Sequence, residues 1–475
     1  MERTLALRAW ALVVLPVAML HGDAVAESCQ KVAGPADRPD LFGIARCAYY
    51  DDDWFATDLE KLAVRFPKDS RSPVAISEAY DVRVELGEFA QAREDAAVFA
   101  KLWGARHPVQ AARLVLRTGE IYEQRGALDM QAELLREYLA MWGNKGGAEL
   151  ATIAHFKLGE FLWKQSCPRE TFHGACVQVD QPYERRARAR GPRGVLQFAE
   201  DGGRRRGVSP VVFCGSKTSL DIKVVARDSR LVREAQRHFD QAVRLYATLA
   251  PRPAAGTTTF PSEAAFAAAG SGFYLAEPTY ERFLGIPSPR NLDFRKATPF
   301  ERSAIAAQRK SRAAESEKRF SAFLSKKAAL ATALGKGRPV GLYDRVISYD
   351  VPHWTVAALA RIGQLSAQLA SQLNSVEIPN DLREMDEWGQ PRQDFCDVWV
   401  DQAMPLEDTA VQDYERCLNV SRRRSWWNEW SELCEAELYR LAPSEHPALV
   451  ESIPEPSAIF PSAPPAIETE CRTCL

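Results

Sequence analysis

Apolar runs long enough to cross a bilayer are missing from this 475-residue chain: the longest, Ala11 to Leu20, is about half the roughly 20 residues a span needs. Within residues 52–165 alternating β-branched runs are scarce, so strands are not expected there. Charge of one sign is missing as well. Sixty-one basic residues face sixty-three acidic ones, so the whole molecule offers no field for nucleic acid. The seven histidines, at 21, 107, 155, 173, 238, 353 and 446, are scattered, and no two stand four apart as a helical metal pair requires. No GxSxG elbow, HExxH helix or GxGxxG turn occurs, and Gly215-Ser216-Lys217-Thr218 lacks the spacing of a phosphate loop. These gaps leave no catalytic, metal or cofactor motif, and the chain reads as non-enzymatic, with no cofactor.

What is present is a stretch written twice. Residues 87–104 and 126–143 align without a gap, 39 residues apart. Gly87 matches Gly126, Glu94 matches Glu133, and Trp103-Gly104 matches Trp142-Gly143. A period of 20 to 50 residues marks stacked helical units, none of which buries its apolar face alone. Helical periodicity fills residues 52–165: Phe66-Pro67 ends the first helix, Gly87 and Gly126 make turns inside helix pairs, and the two Trp-Gly steps close them.

The ends have another character. Arg3 and Arg8, the apolar run, and Ala24-Val25-Ala26 compose an export signal expected to be cut after Ala26. The ten cysteines, at 29, 47, 167, 176, 214, 396, 417, 434, 471 and 474, all lie beyond that cut, and an even count in an exported chain favours disulfides of undetermined pairing. The localisation expected is the periplasm or cell envelope. Residues 443–475 hold seven prolines and should be extended or disordered. Cys471 and Cys474 have redox spacing, but so near the end of such a tail a disulfide or no role at all is the simpler reading.

The organisation expected is a signal at 1–26, helical repeats at 27–166, an insert at 167–225, further repeats at 226–376, a cap at 377–442 and the proline-rich tail at 443–475. The insert holds three cysteines and eight arginines between Arg185 and Arg206, with short β-prone runs at 194–198 and 208–213 flanking Asp201-Gly202-Gly203, which suggests a hairpin.

Small and large residues recur on one helix face at Ala242/Tyr246/Leu249/Ala250, Ala276/Tyr280/Phe283/Leu284 and Ala410/Tyr414/Cys417/Leu418, with Gly119, Tyr122 and Gly126 in the first-helix and turn positions and Leu158-Gly159 with Leu162 as a partial copy. In this the chain resembles tetratricopeptide-repeat (TPR) proteins. It departs from them in its 39-residue period, in Ala96 where an aromatic is usual, and in having the closing proline only at Pro108 and Pro251. The runs Leu158-Gly159-Glu160-Phe161-Leu162-Trp163, Cys167-Pro168, His353-Trp354, Ala360-Arg361-Ile362-Gly363 and Ser425-Trp426-Trp427-Asn428-Glu429-Trp430 also resemble large exported repeat proteins of myxobacteria and related deltaproteobacteria, some linked to gliding motility. The resemblance implies an all-α helical-repeat solenoid that scaffolds other envelope proteins.

Two candidate surfaces follow. The family register places Asp81, Arg113, Glu120, Glu123, Glu160 and Trp163 in a groove suited to an extended peptide or helical partner, although such charges equally suit a solvated helix face. Arg185, Arg186, Arg188, Arg190, Arg204, Arg205 and Arg206 of the insert could grip a polyanion such as lipopolysaccharide, with a plain solvated loop as the alternative. Trp426, Trp427 and Trp430, spaced as one helix face, read as a packed cap or as a binding platform.

Overall fold

The computed structural model describes residues 55–169, 174–180, 214, 221–249, 262–290, 292–294, 302–335, 340–378 and 390–447. Among them are thirteen helices and one two-stranded sheet. In order these are α1 Phe55–Arg65, α2 Ser72–Leu86, α3 Phe89–Trp103, α4 Pro108–Gln124, α5 Leu128–Met141, α6 Ala148–Gln165, β1 Val177–Asp180, β2 Asp221–Val224, α7 Ser229–Ala247, α8 Glu263–Leu284, α9 Ser303–Leu334, α10 Leu342–Ile347, α11 Pro352–Asn374, α12 Gln390–Arg423 and α13 Glu429–Leu441. The described residues within 1–204, 220–289 and 314–354 form one compact unit, and those within 205–219, 290–313 and 355–475 form another.

From α1 to α8 each helix of the first unit packs against the next. α1 packs on α2, α2 on α3, α3 on α4, α4 on α5 and α5 on α6. The matched glycines have a definite job. Gly87 and Gly126 hold φ of 77° and 72°, the left-handed region that a side chain disfavours. The Gly87 amide donates to the Val84 carbonyl and Glu88 to Arg83, while Gly126 donates to Glu123 and Ala127 to Tyr122. Both sets make the same paired closure of a helix end, with glycine just past the cap, and it reverses the chain within three residues. Phe99, Trp103, Leu135 and Tyr138 fill the spaces beneath. Arg83 ties the opening helices together: it donates to Glu60, at 2.5 Å to Glu88 and at 3.2 Å to Thr57, and it lies 3.5 Å from Asp95. Burial, reinforced by Glu60, holds the Asp95 carboxyl well above the usual carboxylate range against the pull of Arg83.

The third helix pair is built differently. The partner of α6 is α7, although residues 166–228 separate them, and α8 packs on both. Gly159 of α6 lets the Phe239 ring approach so closely that a Cβ there would lie 2.7 Å from it. The excursion begins and ends on a neck. β1 and β2 pair antiparallel from Val177–Val224 to Asp180–Asp221, and a disulfide joins Cys167 to Cys176. The strands therefore lie nearer the ends of the insert than the runs at 194–198 and 208–213, which fall outside the described residues.

The second unit holds α11 from Thr355 onward with α12 and α13, and α12 packs on α13. Disulfides join Cys417 to Cys434 and Cys214 to Cys396. Gly363 on α11 admits the Tyr414 ring of α12 at 2.7 Å from its Cβ position, the same device as Gly159 with Phe239. The α12–α13 turn again closes in the paired manner, since Trp426 donates to the Ser421 carbonyl and Ser425 to Arg422. Here a serine takes the glycine position, with φ of 49°.

Candidate functional site

The first helices of the successive pairs, α2, α4 and α6, followed by α8, carry a line of polar contacts. Gln110 of α4 donates to Ser77 of α2 at 2.9 Å, and the Tyr80 and Thr118 hydroxyls meet at 3.3 Å. Arg117 of α4 donates to Asp81 of α2 at 2.6 Å. Lys157 of α6 donates to Glu123 of α4 at 2.6 Å, and Gln131 supports the same carboxylate at 2.9 Å. Tyr274 of α8 donates to Glu160 of α6 at 3.0 Å, and Lys164 lies 2.9 Å from that carboxylate. Glu120 stands half-buried in this line. Burial raises its carboxyl above the ordinary range; Lys157 opposes the shift, and Glu263 and Glu123 add to it.

Five of the six expected groove residues, Asp81, Arg113, Glu120, Glu123 and Glu160, are exposed or half-buried. Trp163 is not on the open face. Only 1% of it is accessible, it packs 6.2 Å from the Tyr274 ring, and the Arg227 guanidinium covers it at 3.8 Å. Three residues on from Glu160, it has turned off the exposed stripe and onto the flank where α8 and the neck pack. Arg117, Lys157 and Lys164 belong to the line and were not anticipated. Helical spacing was their available signal, since Arg117 follows Arg113 by four and Lys164 follows Glu160 by four.

The insert rests on a charged clamp. Arg227, just after β2, donates through Nε and Nη2 to both oxygens of Glu281 at 2.8–3.0 Å. It also donates to the Trp163 carbonyl at 2.8 Å, the Ser166 hydroxyl at 3.0 Å and the Gly174 carbonyl at 3.0 Å. Glu281 in turn accepts from the Cys176 amide at 2.8 Å. Both side chains are at least nine-tenths buried, so this is an ion pair whose donors and acceptors are matched inside the protein. The guanidinium sits at the carboxyl end of α6, where the helix dipole favours a cation. The seven insert arginines, Arg185 to Arg206, lie outside the described residues, as do the export signal at 1–26, Cys471, Cys474 and the tail beyond residue 447.

The three tryptophans divide. Trp430 is in the core, Trp426 is partly covered, and Trp427 is 51% exposed. Among the described residues no group of three or more His, Cys, Asp or Glu side chains is placed to hold a metal ion. No helix among them is long and apolar enough to cross a membrane.

No family model matches this chain, and no curated protein does either. The fold is therefore a mostly helical one of sequentially packed helices, without an assigned family. The three disulfides among the described residues fit maturation in an oxidising compartment.

Proposed function

We propose that this is an exported, non-catalytic scaffold of the TPR type, which takes an extended or helical segment of another envelope protein along the faces of α2, α4, α6 and α8. The observation that carries the reading is the polar line from Asp81 to Tyr274 across the four alternate helices α2, α4, α6 and α8. Its charges are of both signs and sit on helices, so a partner segment would be read by position rather than by net charge. Glu120 sharpens this. It is a half-buried carboxyl without an ordinary solvent shell, and an amide or a cation from a partner would lower its free energy. An assembly in motility, secretion or outer-membrane biogenesis is the setting the reading favours.

The test is site-specific photo-crosslinking in cells. A crosslinker at Arg113 should yield discrete protein adducts, one at Glu133 on the outer helix α5 should not, and Glu120→Lys with Glu123→Lys should abolish the adducts. Equal labelling from both helices, or adducts that survive the double substitution, would count against a groove. A second reading, a polyanion-binding module acting through the arginine-rich insert, is favoured by one observation: the neck is clamped firmly enough by Arg227 and Glu281 to present what it carries. Retention on immobilised lipopolysaccharide before and after deletion of residues 184–206 separates the two.

A further inference from the structure

We propose that the turn between α12 and α13 is a peripheral docking point for an anionic lipid surface. Arg422 and Arg423 end α12, Arg424 follows, and all three are exposed, beside the exposed indole of Trp427. Neither Arg422 nor Arg423 has a carboxylate partner among the described residues. The helix dipole accounts for cations at the end of α12. It does not account for an indole left in water beside them.

The tip is also held still. Ser425 keeps a left-handed conformation, φ 49°, that glycine would adopt without strain. The Ser421 hydroxyl donates to the Trp426 carbonyl and lies 2.9 Å from the Ser431 hydroxyl. Asn428 caps α13 by accepting from the Trp430 and Ser431 amides at 3.1 Å. The Cys417–Cys434 disulfide joins the two helices below. An exposed side chain on a turn fixed this tightly is presented in one pose, and binding orders little that is not already ordered.

The chemistry points to lipid headgroups rather than to an acidic peptide. An acidic peptide can pair with an arginine cluster, but that pairing leaves the exposed indole without a role. The turn after α12 offers a single exposed indole, which a headgroup layer accepts at the depth where tryptophan partitions best. The guanidiniums of Arg422 and Arg423, which precede it in the chain, then meet phosphates, for which their fork of donors is suited. Two acidic residues share the tip. Glu429 and Glu432 occupy the first turn of α13 and are exposed, so they oppose Arg422 and Arg423, and attachment is weak, reversible and salt-sensitive.

The test uses the full mature protein with phosphatidylcholine vesicles, with and without phosphatidylglycerol, in a sedimentation assay. Binding is expected only with phosphatidylglycerol. Arg422→Gln with Arg423→Gln should weaken it by about 25-fold, on the order of 5-fold per arginine. Trp427→Ala should weaken it as well and abolish quenching by brominated lipid. All three positions are exposed, and an unchanged thermal melt confirms that the variants fold. Equal binding to both vesicle types, full binding by the double arginine variant, or preferential capture on an immobilised acidic peptide would each overturn the proposal.

Discussion

The helix pairs α4/α5 and α6/α7 solve the same packing problem with opposite means. The first turns back within residues 125–127, on a glycine whose backbone makes the reversal. The second leaves α6 at Gln165 and returns at Ser229, after residues 166–228. Closing a loop about twenty times longer costs on the order of 3 kcal/mol more in chain entropy. Into that gap the protein places a disulfide, a four-residue ladder and the Arg227–Glu281 pair. A pair closed by local backbone chemistry needs no long-range support; a pair opened by an insert must be held by groups far apart in sequence.

The largest effect should come from the clamp. Arg227→Met leaves Glu281 buried without its counter-charge, and the expected loss is about 3–5 kcal/mol, seen as faster hydrogen exchange in β2, α6, α7 and α8 while α2–α5 stay protected. The exposed Arg117–Asp81 pair is the control, and Arg117→Met should cost less than about 1 kcal/mol. If Arg227→Met were as mild as the control, the strands and disulfide alone would be holding the neck.

A smaller effect compares two glycines at related places in their pairs. Gly159→Ala puts a Cβ 2.7 Å from the Phe239 ring and should cost about 2–3 kcal/mol. Gly119→Ala meets only the end of Leu134, at 3.2 Å, and the gain in helix propensity of about 1 kcal/mol should nearly offset the crowding. Thermal melts of the two variants would expose the difference; similar shifts would mean that the α6–α7 contact yields as readily as the α4–α5 contact.

The contrast also explains what could be read in advance. Everything specified locally was legible: the helices of 52–165, the turns at Gly87 and Gly126, and the break in character at Cys167. Gly159 was legible as a repeat position, but its partner Phe239 lies 80 residues on, and no spacing rule connects them. Arg227 and Glu281 gave no signal, because an ion pair between residues 54 apart leaves no periodic trace. Trp163 misled for a related reason. It stands three residues after an exposed glutamate, and only the arrival of Arg227 and Tyr274 decides that its side of α6 is interior. The second unit was legible as helical, and Ser425 in a glycine position was not, since a serine there carries no turn signature.

Acidification should drive the two kinds of pair apart. Between α6 and α7 the Nδ1 atoms of His155 and His238 lie 2.8 Å apart, within hydrogen-bonding distance. Burial, then the neighbouring His238, lowers the His155 pKa to about 4; burial also lowers that of His238, with Glu234 opposing and Arg237 and Arg136 adding to the shift. Both rings are neutral in the fold and take up protons more readily once unfolded, so this pair loses stability as pH falls from about 6.5 toward 4. Partial solvent contact limits the loss to about 1–2 kcal/mol. At the α1–α3 end Asp95 works in the opposite sense. Its raised pKa means that the fold keeps the proton while the unfolded chain sheds it, so stability there falls as pH rises above about 4 and recovers on acidification. Hydrogen exchange corrected for intrinsic rates at pH 7.5 and pH 5 should therefore show α6 and α7 loosening while α1–α3 tighten. His155→Gln removes one titrating ring and should flatten only the first trend. Parallel changes in both segments would show that a global charge effect, rather than these two buried sites, sets the response.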